Sequence, residues 1–175
     1  MPTLPHPTDR LEAVLLPRAG GFGRLDGPRR LSRATLRAYV DTAYVVHAEP
    51  APIVLRVGQP SAQLLAWQQA EGVCESVFVS ACNPFGRRVA DPVNDAAMRA
   101  LRAWLSGRGH RSVDGLGQGD DRAWPAEPSL LVPGGDAALA LRLCVRFEQN
   151  ATVYIGCDGI PLIALHPGLG LSEVD

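Results

Sequence analysis

Glycine and proline divide this chain into short apolar segments whose spacing changes repeatedly between that of a strand and that of a helix. The 175 residues include 18 glycines and 15 prolines, the residues that most often interrupt regular structure. Residues 53–57 alternate as in a half-buried strand, whereas Leu36, Val40 and Ala43 follow Ser32 at helical spacing. A chain of this kind cannot form a long helical bundle or a membrane span, and it favours a sheet with helices packed on it.

The order of the predicted elements is a helix, then β-β-α-β-α, a loop, and β-α-β-β. Strands and helices interleave, yet hairpins occur near both ends, so we predict a single α+β domain with a mixed β-sheet and helices packed on it. We expect an extended basic arm at residues 1–31, the globular domain at 32–165 and a C-terminal tail at 166–175.

Several local signals set the predicted boundaries. Ser32 and Asp136 are expected to cap helices, and Asp91, followed by Pro92, is expected to be the N-cap of a third. A short strand is expected at Ala13–Leu16. The glycine-rich stretch 112–126 predicts a loop.

The cysteines and the N-terminal residues bear on the compartment. Met1–Arg10 has no apolar core of the kind that a secretory signal requires. Cys74, Cys82, Cys144 and Cys157 form no C-x-x-C pair, which argues against a zinc ribbon or a thioredoxin-type site. We therefore expect four reduced thiols in a soluble, cytoplasmic protein.

Charge is unevenly distributed along the chain. Residues 1–38 hold seven arginines and three acidic residues, a net charge of +4, whereas the remainder has a net charge of −5. A basic segment can bind nucleic acid, but it can equally lie against the acidic body of its own domain. We expect the second arrangement, and we do not expect nucleic acid or a membrane as a partner.

Familiar catalytic motifs are missing from the sequence. It contains no P-loop, no G-x-S-x-G elbow, no H-E-x-x-H helix and no G-x-G-x-x-G after a strand. The four histidines are far apart, without the spacing of metal ligands. We expect no metal and no cofactor.

Polar side chains instead gather at the ends of predicted strands, where open sheets often bind ligands. Asn83 ends a buried strand and turns towards the helix of Asn94, and Glu127 precedes another strand. Each amide could simply cap a turn, but together they could form one cleft. The predicted ligand-binding residues are Asn83, Asn94, Trp124, Ser129, Gln149 and Asn150, with Glu127 as the candidate general base.

The same segments resemble a bacterial family called domain of unknown function 3293. The resemblance covers roughly residues 36–156 and implies a fold and a candidate site, but no reaction. It rests on Tyr39-x-x-Thr42-x-Tyr44, Leu55–Gly58, Ser80–Pro84, Asn94, the glycine stretch up to Trp124, Glu127-Pro128-Ser129 and Phe147–Ala151.

Two functional hypotheses follow. In the first, the amides and the single carboxylate bind a small, neutral or cationic polar ligand such as a nucleobase, with or without catalysis. In the second, the protein is a non-catalytic interaction or regulatory module, and Tyr39, Tyr44, Trp67 and Trp124 anchor a partner. Convergence of the amides on a solvent-reachable cleft favours the first hypothesis, and mutually satisfied, buried amides favour the second.

Overall fold

A seven-stranded sheet forms the centre of the molecule in a computed structural model that describes residues 11–17, 29–120 and 124–172. The helices are α1 Arg33–Asp41, α2 Ala62–Ala70, α3 Asp91–Ser106 and α4 Ala137–Arg146. The strands are β1 Arg29–Leu31, β2 Ala43–Val46, β3 Ile53–Leu55, β4 Ser76–Val79, β5 Val113–Gln118, β6 Glu127–Pro133, β7 Ala151–Ile155, β8 Pro161–Leu165 and β9 Leu169–Leu171.

The large sheet has the order β3-β2-β5-β6-β4-β7-β8, and every neighbouring pair in it is antiparallel. Parallel pairing occurs between β1 and β9, and at a single bridge from Leu15 to Ile163. The prediction of a single α+β domain with helices packed on a sheet is confirmed, although the large sheet is antiparallel rather than mixed as expected.

The central strands carry apolar side chains to both faces of the sheet, and each face has its own core. In β4, Val77 and Val79 pack with Leu101 of α3 and Leu139 of α4. Phe78, between them in β4, points to the other face. There it belongs to a cluster that also contains Leu36 of α1, Leu64 of α2, Leu131 of β6 and Ile163 of β8. Helices therefore cover both faces, which is why the buried strands read as continuous apolar runs.

Helix starts follow the predicted caps with one exception. Ser32 accepts a hydrogen bond from the Thr35 amide at 3.0 Å, and Asp136 accepts one from the Leu139 amide at 2.7 Å. Asp91 was expected to be an N-cap, but Ala90 occupies that position and Asp91 is the first helical residue. Its carboxylate still lies in the first turn, where the helix dipole favours negative charge.

The predicted loop at 112–126 is wrong over β5. Gly115 and Gly117 both lie inside this strand, and at Gly115 neighbouring groups come close to the backbone. A Cβ on Gly115 would lie 2.6 Å from the carbonyl oxygen of Val45 and 2.8 Å from the ring of Phe78. Residues 121–123 of the predicted loop lie outside the described residues.

The two terminal segments contact the domain. Leu11, Leu15 and Leu31 are buried in the core on the α1 side, and Leu31 pairs with Leu171 in the β1–β9 ladder. The strand expected at Ala13–Leu16 is instead a 3-10 turn at Glu12–Val14 followed by the bridge at Leu15. Residues 1–10 and 18–28 of the expected arm, and 173–175 of the expected tail, lie outside the described residues.

The prediction of four reduced thiols is wrong for two of them. Cys74 and Cys157 form a disulfide with a Cα–Cα distance of 4.7 Å, whereas Cys82 and Cys144 are buried and take no part in it. The pairing of β4 with β7 explains the link. Ser76 lies opposite Ile155, so the residues two positions beyond each strand end become neighbours, although 83 positions separate them in sequence.

Candidate functional site

A cleft of about 1110 Å³ lies between α1, β1 and the face of the sheet that carries Phe78. Its apolar floor includes Tyr44, Phe78, Val153 and Ile163. The ring of Tyr44 packs edge-to-face on Phe78, with 5.4 Å between the ring centroids. This size is at the upper end of the range of small-molecule sites.

Asn83 holds the turn that leaves β4 and forms one wall of the cleft. It is 6% exposed, and its backbone is left-handed, with φ 48° and ψ 67°. Its Oδ1 accepts hydrogen bonds from the Val89 amide at 3.1 Å and from Asn94 Nδ2 at 3.2 Å. The backbone N–H of Asn83 donates to Asn94 Oδ1 at 2.8 Å. The turn is thereby fixed to the first turn of α3.

Glu127, the first residue of β6, faces Asn83 across the cleft wall. Its Oε1 accepts a hydrogen bond from Asn83 Nδ2 at 2.7 Å and another from Trp124 Nε1 at 3.0 Å. Its Oε2 accepts none from the described residues. Two donors on one oxygen fix the orientation of the carboxylate and leave the second oxygen to face the cleft contents.

Gln149 and Asn150 come from the connection between α4 and β7. Gln149 is 8% exposed, and its Nε2 donates to the carbonyl oxygens of Cys82 at 3.1 Å and Phe147 at 3.0 Å. Asn150 Nδ2 donates to the phenol oxygen of Tyr39 at 2.9 Å. The side-chain nitrogen of each residue donates to another group of the protein. The side-chain oxygen of each accepts no hydrogen bond from the described residues.

Ser129 lies beside Glu127 but serves the backbone. It is 3% exposed, and its hydroxyl donates to the carbonyl oxygen of Glu127 at 3.0 Å. The hydroxyl of Ser80 similarly donates to the carbonyl oxygen of Pro128 at 2.8 Å. The Ser129 bond lies within β6, whereas the Ser80 bond holds the start of β6 against the end of β4 next to Glu127.

Burial keeps the ionisable groups of the cleft floor neutral. Burial raises the pKa of the Tyr39 phenol; the hydrogen bond from Asn150 opposes this in part, and the charge of Glu127 adds to it. Burial likewise raises the pKa of the Cys82 thiol, against the Ser80 hydrogen bond and with the charge of Glu127. At neutral pH, Tyr39 is a hydrogen-bond donor and Cys82 is not a thiolate nucleophile.

The backbone around the cleft is strained in three places. Asn83, Phe85 and Glu148 have positive φ values of 48°, 51° and 51°, and no other non-glycine residue in the described ranges does. The Phe85 amide donates to the carbonyl oxygen of Glu148 at 2.6 Å, so the strained turns are tied to each other. Left-handed residues other than glycine each cost about 1–2 kcal/mol and gather at functional sites.

The structure brings six of the seven predicted site residues to one cleft. Those that line it are Asn83, Trp124, Glu127, Ser129, Gln149 and Asn150. Asn94 does not line the cleft, but its side chain forms hydrogen bonds with Asn83, which does.

Sequence reasoning missed other lining residues, among them Phe85 and Arg29. The Phe85 ring lies 3.6 Å below the Arg29 guanidinium. Phe85 belongs to the Asn-Pro-Phe-Gly turn, but nothing in the sequence marks Arg29. Tyr39, the partner of Asn150, was expected only as a contact for another protein.

The described residues contain no group of three or more histidine, cysteine or acidic side chains that could hold a metal ion. Within the same ranges, no helix is long and apolar enough to cross a membrane.

Comparison with known proteins gives a family and no function. Residues 79–152 match the model of a family described as protein of unknown function (DUF3293). The matched segment runs from the end of β4 to the start of β7, and it contains all seven predicted site residues. No curated protein and no solved structure matches the chain. The match supports the DUF3293 family over this segment, the family that the motifs of the sequence also resemble.

Proposed function

We propose that the cleft binds a small, planar, polar ligand that donates hydrogen bonds, such as a nucleobase. The observation that carries the proposal is the arrangement of Glu127, whose Oε1 is held by Asn83 and Trp124. A carboxylate oriented in this way can accept two donors of one ligand edge with its remaining lone pairs.

The side-chain amides of Gln149 and Asn150 also favour a ligand that donates hydrogen bonds. Gln149 and Asn150 use their nitrogen atoms within the protein, so their carbonyl oxygens remain to accept hydrogen bonds from a ligand. The Tyr39 phenol, kept protonated by burial, adds one donor. An interior rich in hydrogen-bond acceptors favours a ligand with amine, amide or amidine groups over a ligand that would place an anion beside the Glu127 carboxylate.

Aromatic side chains supply surfaces for a flat ligand. Tyr39, Tyr44, Phe78, Phe85 and Trp124 all line the cleft. Bases and other planar rings stack on such side chains, and each stacked ring contributes about 1–3 kcal/mol. The combination of stacking surfaces with one oriented carboxylate is how proteins read the hydrogen-bonding edge of an isolated base.

In this proposal Glu127 anchors the ligand, and it is the only carboxylate in the described interior of the cleft that could act as a general base. Asp41 and Asp120 also line the cleft, but both are exposed. A reaction in which the ligand loses a proton would therefore use Glu127.

Guanosine and inosine test the proposal, because they differ only in the amine that would donate to Glu127. We expect guanosine to bind by isothermal titration calorimetry, and inosine to bind about tenfold more weakly. Glu127→Gln should abolish this difference while the protein remains folded. As a matched control, Glu148→Gln changes an exposed glutamate that does not line the cleft. Equal binding of both nucleosides, or binding of neither, would contradict the proposal.

The alternative, a non-catalytic interaction or regulatory module, has less support from the side-chain packing. Tyr44 packs on Phe78, and Trp67 and Tyr39 pack against the core. Three of the four expected partner anchors thus pack within the domain, and the fourth, Trp124, donates its indole N–H to Glu127. The exposed large apolar residues of the described ranges are Val54, Val93 and Val145, none of which was an expected anchor.

We also propose a cytoplasmic location. Cys82 is a buried free thiol, which fits a reducing compartment. The Cys74–Cys157 disulfide does not oppose this, because both of its residues are exposed and cellular thiols can reach it. Differential alkylation of the protein in intact cells tests the proposal, since a fully oxidised pair in the native compartment would contradict it.

A further inference from the structure

Arginine side chains line the mouth of the cleft, outside its acceptor-rich interior. Arg29 and Arg30 belong to β1 and Arg37 to α1, and all three are exposed. None of them takes part in the ion pairs found among the described residues. Two carboxylates also line the mouth, but Asp120 pairs with Arg56 at 3.7 Å, which leaves Asp41. The described part of the mouth therefore has an excess of positive charge.

Part of this charge is held against the aromatic walls. The Arg29 guanidinium lies 3.6 Å from the centre of the Phe85 ring. A guanidinium stacked on a ring keeps its N–H edge available for an oxyanion. Arginine placed in this way recognises phosphate with less loss of side-chain entropy than a freely moving lysine.

We propose that the ligand is a nucleoside monophosphate, with its base at Glu127 and its phosphate at the Arg29, Arg30 and Arg37 mouth. The inference rests on the proposed function and extends it from a base to a nucleotide. Only a ligand with a donor-bearing planar head and an anionic group matches both regions of the cleft, the acceptor-rich interior and the cationic mouth.

A single phosphate fits the mouth better than a chain of phosphates. Asp41 and Asp120 lie at the same mouth as the arginines, so a polyphosphate or an extended nucleic acid would bring anions towards carboxylates. One phosphate can bond to the arginine side alone. The ligand is accordingly a free mononucleotide and not a strand of RNA or DNA.

Guanosine, guanosine 5′-monophosphate and a short single-stranded oligonucleotide ending in guanosine test this inference by titration calorimetry. We expect the monophosphate to bind about tenfold more tightly than guanosine, with an advantage that shrinks as salt is raised. The double variant Arg30→Gln/Arg37→Gln should lose this advantage and keep its affinity for guanosine, which shows that the cleft is still folded. Arg33→Gln, on the same helix but outside the cleft lining, is the matched control and should keep the advantage.

The outcomes separate the two proposals. If guanosine binds and the phosphate adds nothing, or if the double variant keeps the advantage, the nucleotide inference is overturned and the proposed function stands. If neither guanosine nor its monophosphate binds, both are overturned. Tighter binding of the oligonucleotide than of the mononucleotide would replace the free nucleotide by a nucleic acid.

Discussion

Asn83 Nδ2 donates a hydrogen bond of 2.7 Å to Glu127 Oε1 and so links the turn after β4 to the first residue of β6, 44 positions later in the sequence. The bond is charge-assisted and partly buried. Such bonds are roughly twice as strong as those between neutral groups. The side-chain oxygen of Asn83 accepts hydrogen bonds from Asn94 and from the Val89 amide. The Asn83 side chain therefore connects the start of β6 to the start of α3.

Asn83→Asp should therefore destabilise the protein by at least about 2 kcal/mol at pH 7, because two carboxylates would meet where a donor now faces an acceptor. The penalty should shrink as the pH falls and one of the two carboxyl groups takes up a proton. Urea denaturation at pH 7 and pH 4.5, relative to the wild type, measures it.

The second change Glu127→Gln provides the control for this variant. It removes the like charge, so Asn83→Asp/Glu127→Gln should recover most of the lost stability. A penalty that is the same with and without Glu127 would mean that the Asn83–Glu127 contact does not form.

Gly115→Ala should destabilise the domain by roughly 1–3 kcal/mol, because the new methyl group would overlap the carbonyl oxygen of Val45 and the ring of Phe78. Gly117→Ala, two residues later in the same strand, is the matched control, since its nearest neighbour would be 3.8 Å away. Thermal denaturation of the two variants measures the difference. Equal stabilities would show that β5 does not approach β2 and β4 as described.

Reduction of the Cys74–Cys157 disulfide should lower the free energy of unfolding by about 2–4 kcal/mol, because it releases a loop that spans 83 positions. Unfolding with and without dithiothreitol measures this, and Cys74→Ser should be insensitive to the reductant. Thiol titration of the unfolded, unreduced protein should find two free groups. Four free groups would show that the disulfide is absent.

The raised pKa values of the three tyrosines should lower the free energy of unfolding in alkaline solution. Burial raises the pKa of Tyr39 and of Tyr44 above 10.0, and burial together with a hydrogen bond to Glu75 raises the pKa of Tyr154 to about 12. The unfolded chain therefore loses its phenol protons first. The stabilising contribution is fully present below pH 10 and is lost as the pH rises from 10 towards the pKa values of the folded state.

Absorbance at 295 nm, which reports phenolate, checks this expectation alongside urea denaturation between pH 9 and pH 12. Tyr154→Phe should remove the step near pH 12 and leave the rest of the titration in place. Three phenols that all titrate with a midpoint at pH 10 in the folded protein would contradict it.

Local signals in the sequence were sufficient to predict most of the helices and strands. Ser32 and Asp136 mark helix starts because an N-cap bonds to an amide three residues away, and such short-range chemistry is visible in sequence. The buried strand predicted before Asn83 corresponds to β4, whose apolar residues are buried on both faces of the sheet. The position of Asn83 at the end of that strand was the signal that led to the cleft.

Features that depend on distant contacts were not predictable in the same way. Gly115 looks like a loop residue unless the approach of Val45 and Phe78 is known, so β5 was missed. Cys74 and Cys157 become neighbours only through the pairing of β4 with β7. The contribution of Arg29 to the cleft depends on the position of β1, which is set by its partner β9 near the other end of the described chain.

The β1–β9 pair also determines when the cleft is completed during folding. Arg29, Arg30, Leu31 and Leu169 of this pair line one side of the cleft, and almost the whole described chain separates the two strands. Their association requires one of the largest loop closures in the described chain, so we expect it to follow the assembly of the seven-stranded sheet. A ladder of only three residues per strand is also among the first parts of a structure to open by local unfolding. The cleft can consequently open and close at low cost while the sheet beneath it stays intact, and a bound ligand would slow hydrogen exchange at Leu31 and Leu171 more than in the central strands.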